Sequence, residues 1–190
     1  MIANVRAAKW SSVSFESLSV AVSVATLLVV AAAAVAAIVQ LRHLRASNQL
    51  AGLLEIMNQW NIPAVQVALA ELQRVPDKLA DPEYEAIVRT PGAADRAQHP
   101  EFLALDLWEQ IGTYCKYRLI DERILLDIVS AQVGAAWHSA QPLIEIVRER
   151  RGPSVFENFE YVAVRAKLWE RRLPNGSYPP SLPRMKDLMP

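Results

Sequence analysis

The sequence predicts an all-α protein: one N-terminal transmembrane helix that continues into a stalk, then a compact helical bundle of about five helices. Three observations predict it. From Ser17 to Leu41 no residue is charged, and at about 1.5 Å per helical residue such a run can cross a hydrocarbon core of about 30 Å. Beyond it, apolar residues recur at three- and four-residue spacing in one segment after another, the period of helices that bury one face. Prolines and capping residues (Pro63, Pro82, Pro100, Asp121, Gly152–Pro153) fall between these segments, where helices start and stop.

Composition narrows the classes of function. With 190 residues, the chain after the apolar run has room for one compact domain. Lysine plus arginine equals aspartate plus glutamate, 20 against 20, and there is no long basic run, so nucleic acid is not an expected partner. The single cysteine, Cys115, lies inside an apolar helical pattern. It can form no disulfide within the chain and reads as a buried, inert thiol in a reducing compartment.

Residues 1–16 form a polar lead with Trp10 and Phe15 at the entrance to the span, as in an interfacial aromatic belt. Residues 17–41 are the expected transmembrane helix. A cleaved secretory signal is the alternative, since AAAAVAA suits a cleavage site; the long lead, the length of the run and its unbroken continuation into RHLRASNQL favour an uncleaved anchor. Small residues four apart (Ser19/Ser23, Ala21/Ala25, Ala32/Ala36) would let two such helices approach closely. Arg6 and Lys9, offset by Glu16, precede the span, and Arg42, His43 and Arg45 follow it at once; the counts nearly tie, and the tighter cluster with the lone cysteine favours a C-terminal domain in the cytoplasm.

Residues 42–172 are expected to form the stalk and bundle. Leu50, Leu53, Leu54, Met57 and Trp60 keep helical spacing in the stalk. Pro63 opens a second helix with the stripe Val65, Ala68, Leu69 and Leu72, ending before Pro76, and Pro82 opens a short helix over Glu83 to Val88. TPGAADRAQH, from Thr90 to His99, is a surface loop in which His99 reads as an exposed side chain. A helix from Glu101 to about Leu119 carries Leu105, Trp108, Ile111, Cys115 and Leu119 on the one side it packs. Asp121 caps the next helix, whose narrow polar strip (Asp127, Ser130, Gly134, His138) predicts the most buried helix of the domain. Pro142 starts a further short helix or marks a kink, and Arg148, Arg150 and Arg151 suit a helix C-terminus. Ser154 and Glu157 have the spacing of a capping box for the last helix, with Phe156, Phe159, Val162, Ala163, Ala166 and Trp169 inward. Residues 173–190 form a proline-rich, flexible tail.

Catalytic motifs are missing: the sequence has no metal-ligand spacing, no phosphate loop and no nucleophile elbow, and His43, His99 and His138 lie far apart. No cofactor and no metal are therefore expected. The carboxylates best placed for chemistry are Glu109, Asp127, Glu157 and Glu160, on helices that should pack together. Glu109 and Glu160 are the two candidate catalytic residues, and they would need a shared polar pocket; otherwise they lie at polar margins or pair with Arg118, Arg123 or Arg165.

FLALDLWEQIGTYCKYRLIDERILLDIV, then AAWHSAQPLIEIVRER and FENFEYVAVRAKLWERR, resemble a family of bacterial membrane-anchored proteins known as a domain of unknown function. The matching residues are Trp108–Glu109, Ile120–Asp121–Glu122, Trp137, Pro142 and Phe159–Glu160, within a stretch from Gln49 to Arg172. The resemblance implies a single span followed by a small helical domain, and no activity. The expected role is a single-pass interaction or regulatory protein of a bacterial inner membrane, more a binding surface than an enzyme. Its expected partners are the bilayer through residues 17–41 and a second protein or a second copy. The alternatives are an enzyme using helix-borne carboxylates, or a sensor whose ligand enters the bundle and shifts the stalk.

Overall fold

The computed structural model describes residues 15–90, 92 and 94–189. Among them all regular structure is helical: α1 Phe15–Trp60, α2 Pro63–Gln73, α3 Val75–Lys78, α4 Pro82–Arg89, α5 Glu101–Lys116, α6 Glu122–Arg151, α7 Glu157–Arg172 and a 3-10 turn at Met185–Asp187. The chain divides into two compact units between Ala46 and Ser47. The polar lead ahead of Phe15 lies outside the described residues.

The first unit contains the apolar part of α1, which is long and apolar enough to cross a membrane and buries none of its side chains within the protein. Two of its hydroxyls are satisfied within the helix. The Ser23 hydroxyl donates to the Ser19 carbonyl and the Thr26 hydroxyl to the Val22 carbonyl, each at 2.9 Å.

In the second unit, Leu53 and Ile56 of α1 are buried, whereas Leu50 and Leu54 are exposed. The inward line is thus Leu53, Ile56, half-buried Met57 and half-buried Trp60: three of the five expected residues face the core, Ile56 joins them, and Leu50 and Leu54 do not. Apolar residues cover more than half of the helix circumference there, so spacing alone does not choose the face. Val65, Ala68 and Leu72 of α2 are buried as their period predicts. Pro76 lies in the first turn of α3, where its missing N–H costs nothing.

α5 is the centre of the unit. It packs against both α2 and α7, and Ala104, Leu107 and Gly112 are buried along with Leu105, Trp108, Ile111 and Cys115 of the predicted stripe. Eight of its 16 residues are buried, against ten of 30 in α6, so α5 and not α6 is the most enclosed helix. It also ends earlier than expected. Arg118 adopts a left-handed φ of 57°, the Leu119 N–H donates to the Tyr114 carbonyl and the Arg118 N–H to Cys115, a Schellman ending that turns Leu119 outward.

Asp121 caps α6 as predicted, accepting from the N–H of Arg123 and Ile124. The helix then runs through Pro142 without starting anew. A proline removes the hydrogen bond to the carbonyl four residues back, here His138; both residues are exposed, so that carbonyl can turn to solvent. The predicted capping box at Ser154 does not form. α7 begins at Glu157 after a left-handed Phe156 (φ 57°), with no side-chain cap from its own N-cap residue.

Four aromatic rings tie the helices together. Trp60 meets Trp108 edge-on at 5.1 Å, Trp108 stacks on Phe159 at 5.7 Å, and Trp137 meets Phe159 edge-on at 5.1 Å. The row links α1, α5, α7 and α6 and supplies several kcal/mol through area and ring geometry, about 1 kcal/mol per pair from geometry alone. Beyond α7, residues 174–189 are exposed. The Ser177 hydroxyl contacts Asp127, and Arg184 lies 4.2 Å from the ring centroid of Tyr178.

Candidate functional site

Two clusters of polar groups meet α5, one at each end. The first surrounds Glu101, whose side chain is 0 % exposed. A carboxylate in such a place needs partners, and it has three. Lys78 Nζ donates to Oε2 at 2.9 Å, the Tyr84 hydroxyl donates to Oε1 at 2.7 Å, and His99 Nδ1 lies 3.3 Å from Oε1. Lys78 also reaches Glu71 at 2.7 Å. The cluster therefore joins α2, α3, α4, the segment before α5, and α5 itself.

Its electrostatics follow from those contacts. Burial works against the Lys78 charge, but hydrogen bonds to Glu71 and Glu101 outweigh it and raise its pKa. The Lys78 hydrogen bond holds the Glu71 carboxyl below the usual range. Burial, and then the hydrogen bond to Glu101, push the Tyr84 phenol far up.

None of these residues was a candidate from sequence, and His99 in particular is half-buried rather than the plain exposed side chain expected. No periodic signal marks the cluster, because its members come from short elements separated by turns. A proline-rich stretch of brief helices holding one lysine and one tyrosine was the nearest available hint.

The second cluster forms where α7 begins. Gly112 faces the α7 N-terminus so closely that a Cβ there would sit 1.9 Å from the Asn158 carbonyl oxygen. One turn earlier on α5, Glu109 accepts from the Phe159 N–H at 2.8 Å and from the Asn158 side-chain amide at 2.7 Å. One turn later, Lys116 donates to Glu157 and Asn158 at 3.0 and 3.1 Å. Glu109 thus provides the cap that Ser154 does not. A negative carboxylate at a helix N-terminus also complements the macrodipole.

Glu160 is engaged elsewhere. It lies 2.7 Å from Arg148 in an ion pair that lacks hydrogen-bond alignment, and Arg148 lies 5.9 Å from the ring centroid of Trp137. Glu109 lines a groove of about 490 Å³ with Phe102, Asp106 and Arg150, whereas Glu160 lines a different groove of about 590 Å³ with Gly134, His138 and Lys167. The two candidate residues do not share a pocket. Asp127 is exposed, and Glu157 is held by Lys116. Arg165 pairs with Glu122, which also accepts from Tyr161 at 3.1 Å. Arg150 donates to the Val88 and Arg89 carbonyls, closing the C-terminus of α4.

Burial pushes the Cys115 thiol up to about 12, which makes it a poor nucleophile. Among the described residues no group of three or more histidine, cysteine, aspartate or glutamate side chains could hold a metal ion. What the two clusters can do, on this geometry, is hold helices in register.

The residues that carried the family resemblance acquire physical roles in this arrangement. Trp108, Trp137 and Phe159 form the aromatic row; Glu109 and Asp121 cap α7 and α6; Glu122 and Glu160 pair with arginines on neighbouring helices. No curated protein and no solved structure matches the chain. Residues 27–166 match the family described as Domain of unknown function (DUF4760), a stretch beginning inside the apolar part of α1 and ending within α7. The chain belongs to that family.

Proposed function

We propose that this protein is a single-pass membrane protein whose helical domain binds another protein chain and that it acts as an interaction or regulatory subunit. In this reading residues 17–41 span a bacterial inner membrane, the domain faces the cytoplasm, and the partner is a different protein or a second copy. The observation that carries the binding role is the groove between α6 and α7. Its floor is built of small residues (Ala131, Gly134, Ala135, Ala163), and Ile128, Val164 and Leu168 stand exposed beside it or along the same helices. A shallow apolar groove with a polar rim suits the apolar face of a partner helix. Every candidate carboxylate, meanwhile, has a structural contact of its own. The anchoring role is supported by the uncharged stretch in α1 and by the local satisfaction of Ser23 and Thr26, which leaves few polar groups needing water.

Mild-detergent purification of the tagged full-length protein from its own membranes tests both roles. Retention in the membrane pellet after alkaline carbonate washing supports the anchor, and release overturns it. A stoichiometric protein partner that is kept by the native chain and lost in Val164→Glu, with helical content unchanged, supports the binding role. Stoichiometric metal without any partner overturns it.

A further inference from the structure

The corner between α5 and α6 exposes three apolar or aromatic side chains in a span of eight residues: Tyr117 at 67 %, Leu119 at 54 % and Ile124 at 49 %. Interleaved with them, Arg118 and Arg123 are exposed. Of the nearby acidic groups, Asp121 caps α6, Glu122 pairs with Arg165 and Glu157 pairs with Lys116, while Asp127, one turn along α6, is exposed and accepts from the Ser177 hydroxyl. The surface offers cations beside apolar groups and leaves few anions free to repel a negative partner.

The backbone at this corner adds a second argument. The left-handed position after α5 is one that glycine fills without strain, whereas a residue with a Cβ pays about 1–2 kcal/mol. Arginine occupies it here. The fold would be more stable with glycine, so the cation at position 118 is placed against the local backbone preference.

Covalent connectivity supplies the third. Gln49 donates to the Arg118 carbonyl at 3.2 Å, and a Cβ on Gly52 would lie 3.0 Å from Ile120. Gln49 lies only eight positions after Leu41, the end of the uncharged run. Eight residues reach at most about 28 Å fully extended and about 12 Å as helix. If residues 17–41 span a bilayer, the corner is tethered close to its surface.

We infer that the α5–α6 corner is a second membrane contact, in which Tyr117, Leu119 and Ile124 enter the interfacial layer and Arg118 and Arg123 meet anionic lipid headgroups. The inference rests on the reading of residues 17–41 as a span. Aromatic and aliphatic side chains with arginines between them are the composition that interfacial binding uses. Each arginine near an anionic surface contributes about a fivefold gain in local partitioning.

The test uses the full-length protein reconstituted in phosphatidylcholine vesicles with and without phosphatidylglycerol. Nitroxide labels go one at a time onto Val29→Cys, Leu119→Cys, Ile124→Cys and Glu145→Cys; Cys115 is buried and does not compete. Glu145 is a control, exposed and about 33 Å along α6 from Arg123. Collisions with oxygen report lipid, and collisions with a water-soluble nickel chelate report water. The expected result is that labels at 119 and 124 favour oxygen in the anionic vesicles, while the label at 145 favours nickel. Arg118→Gly should move the 119 label toward water by about fivefold in partitioning while the unfolding temperature rises or holds, which separates a lost lipid contact from a damaged fold. Water exposure at 119 and 124 with Val29 in lipid overturns this contact and leaves the span standing. Water exposure at Val29 as well overturns the span itself. Exclusion of both reagents at 119 with dipolar broadening between labels assigns the corner to a second copy and also overturns the lipid contact.

Discussion

The two ends of α5 are held by opposite physics. At its N-terminal end a fully buried carboxylate gathers a lysine, a tyrosine and a histidine from short elements that precede it in the chain. Further along the helix, contact is made by the absence of a side chain: Gly112 admits the α7 backbone, and Glu109 and Lys116 on either side hold it. Short helices such as α3 and α4 cannot build a core of their own, so polar contacts to one buried anion fix them. Two long helices already have core to share, and close approach is what they need. The first end should therefore respond to pH and to loss of charge, the second to added volume.

The largest effect is expected at the second end. Gly112→Ala places a Cβ into the Asn158 carbonyl, backbone that has no rotamer to escape into, and should cost about 3 kcal/mol or more in denaturant unfolding of the detergent-solubilised protein. A loss under ~1 kcal/mol would show that α7 can move away and that the junction is looser than described.

Next comes the buried anion. Glu101→Leu leaves the Tyr84 hydroxyl without its partner and Lys78 with Glu71 alone, and should cost about 2–3 kcal/mol, discounted because Lys78 is partly exposed. Adding Lys78→Met should restore part of that loss, since an apolar pair avoids the desolvation penalty. If the double variant is as unstable as the sum of the two single ones, the pair is not the unit that matters.

Removing the cap supplied from α5 should be milder. Glu109→Ala is expected to cost about 1–2 kcal/mol, the range of a lost helix cap, with the α7 amides of Asn158 and Phe159 exchanging faster with solvent. Faster exchange spread over every helix instead would mean that Glu109 supports the whole bundle and not one terminus.

The smallest effect sharpens the contrast through pH. The Tyr84 phenol is raised in the folded state, so above its ordinary pKa of about 10 the unfolded chain releases a proton that the folded chain keeps. The stabilising contribution is intact at neutral pH and lost as pH rises; Lys78 adds in the same direction. Glu71, held low, contributes at neutral pH and loses that contribution as pH falls through the carboxylate range. Tyr84→Phe should flatten the alkaline fall in unfolding temperature and leave the acidic side unchanged. An unchanged alkaline fall would remove Tyr84 as its source.

Much of the fold is written in local spacing. The uncharged stretch of α1, the stripe of α2, the Asp121 cap and the inward face of α7 are each readable within a few turns, because a helix repeats every 3.6 residues and shows its buried side as a period. The family motif was also legible as residues, though not as roles: nothing in the order Trp108, Glu109 reveals that one stacks on Phe159 and the other caps the helix that carries it.

The pairings between distant residues emerge only once the helices pack. Glu101 looks like any acidic residue in a first helical turn until Lys78 and Tyr84, 23 and 17 residues away, are brought to it. Gly112 looks like a weak point in a helix until the α7 backbone lies against it. Ser154 and Glu157 have the right spacing for a cap that a carboxylate 50 residues from Phe159 pre-empts. α6 passes through Pro142 where His138 and Pro142 are both exposed, so the orphaned carbonyl has access to solvent, a fact of orientation and not of sequence. A periodic pattern states which face a helix will bury; the identity of the surface it meets is settled by packing between elements far apart in the chain, and on that packing depends whether a charged group is a partner, a cap or a site.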